Sequence, residues 1–356
     1  MNCCINCFAD NSLKEIIKSQ SATLGNCDFC ETQNIIIINC HELSDHFNEL
    51  FELYTNFPNS INSLKIDRSV NIHEHLTLYW TNLFNRNALK IREIKHLIDQ
   101  IGRGSRLYTS KLFSDPVEIS SLIEDLDGFE SNLLRWDIFC NEIKYTNRFF
   151  LNTSIDTDKL SSIFQRLAST YPIGTIFYRA RISDNLLKKS ELGKPPKEKT
   201  TPGRANPVGI PYLYVSESER TTLYETRVAL HEGISIGKFI LVQPLNLISL
   251  KDIYSYGPFE ILDKGFTLEE FIQFRPYLQK LSEELSKPVR KQDVHLDYLP
   301  TQYLCEFIKS SLGFDAIEYK SSMNSIGYNL AIFNDSKLAC SEVNFYIVKD
   351  LEYSWE

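Results

Sequence analysis

FYRAR at residues 177–181, a gap rich in Lys and Pro, and then TPGRANPVGIPYLYVSESERTTLYETR at 201–227 decide how this chain is read. Pro202, Gly203, Pro207 and Gly209 punctuate the PGRANPVG stretch and leave little room for regular structure, so it predicts an ordered loop. Arg204 stands in that loop, where a guanidinium can fork onto phosphate. IPYLYVS (210–216) alternates as a short strand, with Tyr212, Tyr214 and Ser216 on one face and Leu213 and Val215 on the other. SESERTTLYETRVALHEG (216–233) predicts a helix capped by Ser216 or Ser218. Leu223, Val228 and Leu230 form its apolar stripe. Glu225 begins a polar stripe, which presents a carboxylate near the helix start, towards the sheet edge.

A third segment, DYLPTQYLCEFIKSSLGFDAIEYKSSMNSIGYNLAIF (297–333), completes a pattern that resembles the RES-domain family, named for an Arg, a Glu and a Ser. The family's first Arg falls on Arg179. Its glycine–arginine loop and following tyrosine fall on Gly203, Arg204 and Tyr214, and its Glu falls on Glu225. The pattern of tyrosine, paired serines, glycine and Asn-Leu lands on Tyr319, Ser321, Ser322, Gly327, Asn329 and Leu330. Two departures touch loop geometry: Lys320 stands where many relatives carry proline, and the insertion between Arg181 and Gly203 is long. The resemblance, over roughly residues 170–350, implies an architecture shared with ADP-ribosyltransferases, NAD as substrate, and a toxin or defence effector that an antitoxin or immunity protein can restrain.

The chemistry that the resemblance implies is cleavage of the nicotinamide–ribose bond. Positive charge builds on the ribose as neutral nicotinamide leaves, so a carboxylate near the ribose and anion-holding groups near the pyrophosphate are needed. Glu225 is the candidate carboxylate. Arg179 and Arg204 suit the pyrophosphate, because bidentate guanidinium geometry holds phosphate better than an ammonium. Tyr214, with Tyr178 or Tyr212 behind it, can clamp the nicotinamide ring. Ser321, which competes with Ser322 for one role, would orient ribose or phosphate, and Asn329 would support that loop. Lys188, Lys189, Lys194, Lys197 and Lys199 read as a solvated basic run that can also draw an anionic substrate inward.

A chain of 356 residues with 43% hydrophobic and 12% aromatic content is long enough for more than one core. The net charge of −8 argues against general nucleic-acid binding, which needs a cationic surplus. No window reaches eighteen apolar residues, and MNCCINCFAD lacks the charged and apolar regions of a signal peptide. A soluble, cytoplasmic protein without membrane partners is expected. Reduced thiols then favour metal binding over disulfides wherever the spacing allows.

The spacing allows it at the amino terminus. Cys4 and Cys7 form one CxxC, Cys27 and Cys30 a second, and the separation suits a treble-clef or ribbon-like structural zinc site. Gly25 precedes the second pair and suits a tight knuckle. Cys3 and the Cys40-His41 pair remain possible substitutes for the fourth ligand. A closed four-thiolate shell serves stability, not catalysis.

Residues 31 to about 150 read as mainly helical, from the periodicity of segments 39–57, 69–84, 87–101 and 130–150. Ser44 or Asp45 would cap the first helix, and Asp115 and Asp127 mark turns. The arrangement is similar to a HEPN-like module. That resemblance implies a possible ribonuclease pair of Arg and His, for which Arg68 with His73 and Arg92 with His96 come nearest. A linker is expected at 152–159. Strands at 237–250, 315–322, 329–333 and 340–348, a lid-like helical insertion at 267–286 and a helix at 301–313 complete the chain. Without GxGxxG or a P-loop, and without regular alternation, the class is α+β. The expected organisation is a zinc knuckle (1–40), a helical domain (41–155), and a RES domain with a mixed β-sheet like that of ADP-ribosyltransferases (156–356). Transfer of ADP-ribose to a macromolecule is the alternative activity. A HEPN-type ribonuclease or an inactive binding module ranks lower.

Overall fold

A computed structural model describes residues 1–56, 70–119, 136–151, 156–287 and 294–350. The chain divides into two units, Met1–Asn132 with Tyr254–Pro276, and Leu133–Ile253 with Tyr277–Glu356. This differs from a partition at 40 and 155. Phe8 packs on Phe47 and Phe84, so the cysteine-bearing segment shares one core with the helices that follow it. Residues 254–276 join that unit. There the buried Asp10 carboxylate accepts from the backbone N–H of Leu13 and of Phe259, and Trp80 stacks on Phe271.

Within the first unit, β1 (Asn2–Cys4), β2 (Leu24–Gly25) and β3 (Ile35–Asn39) make a sheet in the order β1-β3-β2. A second sheet, in the order β4-β6-β5, is built from β4 (Tyr54–Asn56), β5 (Val70–Asn71) and β6 (Pro116–Ile119). Among the helices of 31–150 stand short strands that the periodicity did not show. These strands have two to five residues, too few to register as a period against the helical segments around them. Helices do form at Ser44–Glu52, Ile72–Tyr79 and Ile91–Gly102. Neither Ser44 nor Asp45 caps the first. Asn39 instead starts a 3₁₀ turn through His41 N–H, the turn runs straight into the helix, and the Ser44 hydroxyl donates to the Ile101 carbonyl. Gly25 serves a close strand approach, since a Cβ there would strike Ile37. Asp115 ends the short helix Ser110–Ser114, whereas Arg68 and Asp127 lie outside the described residues.

The second unit is organised on an eight-stranded sheet in the order β14-β10-β8-β9-β13-β12-β11-β7. Its strands are β7 (Ala168–Tyr171), β8 (Ile176–Ile182), β9 (Leu213–Ser216), β10 (Gly233–Leu241), β11 (Leu245–Ser249), β12 (Ala316–Lys320), β13 (Tyr328–Ile332) and β14 (Leu338–Ile347). All pairings are antiparallel except β11 with β12. Phe177, Leu213, Val215, Phe239, Leu247 and Leu330 fill the core on one face.

Three expected elements change. The strand expected over 237–250 is two strands, β10 and β11, because Pro244 has no N–H to give a ladder. The helix expected to reach 233 spans Glu219–Thr226 with Ser218 as its cap. Arg227 adopts a left-handed φ of 51° and closes it, and the Glu232 side chain and the Val348 carbonyl then satisfy the N–H groups of Ala229 and His231. Leu230 is consequently exposed rather than part of an apolar stripe. The helix Leu268–Ser286 is no lid, since Leu278, Leu281 and Leu285 are fully buried. The expected linker begins at 152–155, outside the described residues, and Asp156 caps the helix Thr157–Arg166. No helix among the described residues is long and apolar enough to cross a membrane.

Candidate active site

β8 and β9 are neighbours joined at a single pair, Tyr178↔Ser216. A cavity of about 330 Å³ lies beside this parting, lined by Arg179, Gly203, Arg204, Tyr214, Glu225 and Asn329 among others. A second cavity of about 440 Å³ shares Arg179, Gly203 and Tyr214 with it and adds Arg181 and Lys199. Sheet register explains part of the gathering. Ser216, Asn329 and Tyr319 are paired in a row across β9, β13 and β12, so all three side chains leave the same face.

Glu225 reaches this row from the helix that follows β9. Its Oε1 accepts from Ser321 Oγ at 2.6 Å and from Asn329 Nδ2 at 2.7 Å. Ser321 is buried and also receives the N–H groups of Met323 and Asn324, whereas Ser322 is exposed, so the first serine is the one turned to the carboxylate. The helix itself is pinned to β8, because Thr222 Oγ1 accepts from Ala180 N–H at 3.1 Å, one residue from Arg179.

Arg179 carries the electrostatic character of the cavity. The residue is half-buried, but its Nη1 is shut off from solvent and has no hydrogen-bond partner among the described residues. Burial, with the like charge of Arg181 adding to it, lowers its pKa to about 10, so the side chain stays a cation near neutral pH. A buried cation with an open donor is costly unless an anion completes it. Arg204 is half-buried and donates from Nη1 to the Leu285 carbonyl at 3.3 Å. Burial pushes the Tyr319 phenol up, opposed by Arg204 and reinforced by Glu225, which places all three groups within one electrostatic neighbourhood.

Gly203 is required by close approach, since a Cβ there would meet Asn206 Oδ1 and the Tyr214 hydroxyl. The loop is held by Gln302 Nε2, which donates to the carbonyls of Gly203 and Asn206, and by Thr301 Oγ1, which donates to that of Arg204. Tyr214 takes part in this anchoring. Its hydroxyl donates to Asn206 Oδ1 at 2.8 Å and accepts from Ala205 N–H, and burial pushes the phenol well up. Tyr212 packs on Phe333 and its hydroxyl reaches Glu306; it lines only the second cavity. Of the lysine run, Lys194 pairs with Asp335 and Lys199 lines the second cavity. Thr222 and Tyr298 join the first cavity without having been singled out, and Tyr319, the tyrosine of the family pattern, lines it as well.

In the first unit, the sulfur atoms of Cys4, Cys7, Cys27 and Cys30 all lie within 4.8 Å of one another. Cys4–Cys7, Cys4–Cys30 and Cys7–Cys27 are 3.8, 3.4 and 3.4 Å apart. A tetrahedral ion with Zn–S bonds of about 2.3 Å sets its sulfurs about 3.8 Å apart, so the cluster fits Zn²⁺. The backbone N–H groups of Phe29 and Cys30 point at Cys27 Sγ, the contact that steadies a thiolate ligand. Cys3 and Cys40 are free, buried thiols outside the group. The helical part yields less. His73 is buried, while Arg92 and His96 line a polar cavity beside Cys30.

The RES domain model matches residues 176–356. No curated protein matches the sequence. Among solved structures, the chain is similar to the crystal structure of the M. tuberculosis MbcT–MbcA toxin–antitoxin complex, at 12% identity and a TM-score of 0.31, over 54% of this chain and 93% of that one.

Proposed function

Because this chain belongs to the RES-domain family, whose toxins act on NAD, we propose that it is an NAD-consuming enzyme that cleaves the nicotinamide–ribose bond, with water or phosphate as acceptor. The observation that carries this reading is the presence of a fixed carboxylate, Glu225, and a guanidinium with a buried, unbonded nitrogen, Arg179, in the wall of one cavity.

The pyrophosphate of NAD supplies the anion that Arg179 lacks, with Arg204 as the second guanidinium. Glu225 faces the ribose. As nicotinamide departs with the bonding pair, positive charge grows on the ribose, and a carboxylate already held in place stabilises that charge without reorganising. Ser321 and Asn329 position Glu225 rather than the substrate directly. Tyr214 braces the Gly203 loop and offers its ring as a wall. The roles of toxin or defence effector, and of an antitoxin as partner, follow from the family. In the first unit, the four cysteines would hold a structural zinc ion, closed to substrate.

Incubation of the purified protein with NAD, with and without phosphate, followed by mass analysis, tests the reading. Free nicotinamide together with ADP-ribose, or with its phosphorylated form, is expected. Nicotinamide release accompanied by a labelled protein or nucleic acid would instead assign an ADP-ribosyltransferase. No release of nicotinamide under any condition would end the proposal.

A further inference from the structure

Ser216 is buried, at 3% exposure, at the carboxyl end of β9. Its Oγ donates to Asn329 Oδ1 at 2.7 Å, and Asn329 Nδ2 donates to Glu225 Oε1 at 2.7 Å. An amide has one accepting end and one donating end, and an ionised carboxylate only accepts. The carboxylate therefore requires the NH₂ of Asn329, and the carbonyl end must find its donor elsewhere. Ser216 is that donor.

On the reading of Glu225 as the charge-stabilising carboxylate, we propose that Ser216 is a positioning residue for the reaction, acting through Asn329 to fix the direction of the amide that holds Glu225. Three facts separate this role from ordinary packing. Ser216 and Asn329 are directly paired in the β9–β13 ladder, so the bond between their side chains runs straight across the sheet. Both neutral donors to Glu225 fall on Oε1, one from Asn329 and one from Ser321, which leaves Oε2 carrying neither. The Ser321 loop has its own support, since Asn324 Nδ2 donates to Thr221 Oγ1 and Thr221 Oγ1 donates to Glu217. The carboxylate is thus held from two sides, by Asn329 of the sheet and by Ser321 of its loop. Loss of the Ser216 hydroxyl strands a buried Asn329 carbonyl, which must then turn or draw in water, and Glu225 loses one of its two supports.

The test is a double-mutant cycle of Ser216→Ala and Asn329→Ala on turnover of NAD, with the Asn329 side-chain amide followed by NMR in the protein without substrate. Ser216→Ala is expected to lower kcat by about tenfold with KM within about twofold. It should have no further effect in the Asn329→Ala background. Exchange of the Asn329 amide protons with solvent, slow in the parent, should quicken at least about tenfold in Ser216→Ala. Ser216→Thr keeps the hydroxyl and should restore both readouts; it also serves if the alanine variant does not fold. Equal losses from Ser216→Ala in both backgrounds, or unchanged amide exchange, would overturn the relay. The exchange readout does not depend on turnover. A parent that leaves NAD intact but shows the protected amide therefore counts against the enzymatic reading, while an unprotected amide counts against the relay.

Discussion

Glu225 and Arg179 are the two side chains on which the site depends, and each gives a distinct kinetic signature. Glu225→Gln keeps the shape and both donors' partners but removes the charge. It is expected to lower kcat roughly 10²–10³-fold, with the KM for NAD within about threefold. Steady-state kinetics with nicotinamide detection checks this, and equal losses in binding and turnover would contradict a transition-state role. Arg179→Lys keeps a charge and loses the fork, so the KM should rise at least about tenfold while kcat changes less. Isothermal titration with NAD should show the same loss. The identities of these residues could be read from the FYRAR and LYETR stretches. The unpaired Nη1 of Arg179 could not, because whether an arginine on a strand is paired depends on neighbours remote in sequence.

The helix Glu219–Thr226 shows how an element places a residue. Ser218 caps it, Thr222 ties it to β8, and Arg227 closes it at a φ of 51°. A left-handed conformation costs a residue with a Cβ about 1–3 kcal/mol, part of which glycine gives back through its freer unfolded chain. Arg227→Gly should therefore raise stability by about 0.5–1 kcal/mol, seen as a higher urea midpoint with NAD turnover preserved. A lower midpoint would mean that the Arg227 side chain, which sits near Met323, matters more than its backbone. The helix start was legible from the Ser-x-Ser-Glu cap signal. Its end was not, because the apolar spacing of Val228 and Leu230 continues past the point where the backbone turns back.

At the scale of the whole molecule, metal content and pH dependence are the measurable properties. Elemental analysis should find about one zinc per chain, and Cys27→Ser should lose the metal and lower the midpoint of thermal unfolding. Two groups of the first unit give opposed pH slopes. Burial, with Glu260 adding to it, pushes the Asp10 carboxyl up to about 6 from 3.8, against the hydrogen bonds that it accepts. Its stabilising contribution is full below about pH 4 and is lost as the pH rises through about 6. Burial pushes His75 down to about 4 from 6.5, so its contribution is present above 6.5 and is lost as the pH falls through about 4. Asp10→Asn keeps the cap's acceptor and removes the first slope. Relative to the parent, the variant should lose on the order of 3 kcal/mol more stability between pH 7 and 4, at about 1.4 kcal/mol per pKa unit. Urea unfolding across that range checks the sign, and parallel curves for parent and variant would exclude the Asp10 contribution.

The sequence by itself determined the order of the chemistry along the chain: two arginines, a glycine loop, a capped helix with its acid, then paired serines, glycine and Asn-Leu. It also determined the two CxxC pairs, because turn chemistry, caps and ligand spacing are local properties that a few adjacent residues specify. Only the tertiary structure decided which distant segments share a core. Residues 254–276 pack with Asp10 and Trp80 rather than with the sheet that precedes them in sequence, and nothing periodic announces such a choice. The bonds of Ser321 and Asn329 to one oxygen of Glu225 close over sequence separations of 96 and 104 residues. They exist because strand register across β9, β13 and β12 sets the row, and register is fixed by the packing of the whole sheet face, not by any one strand.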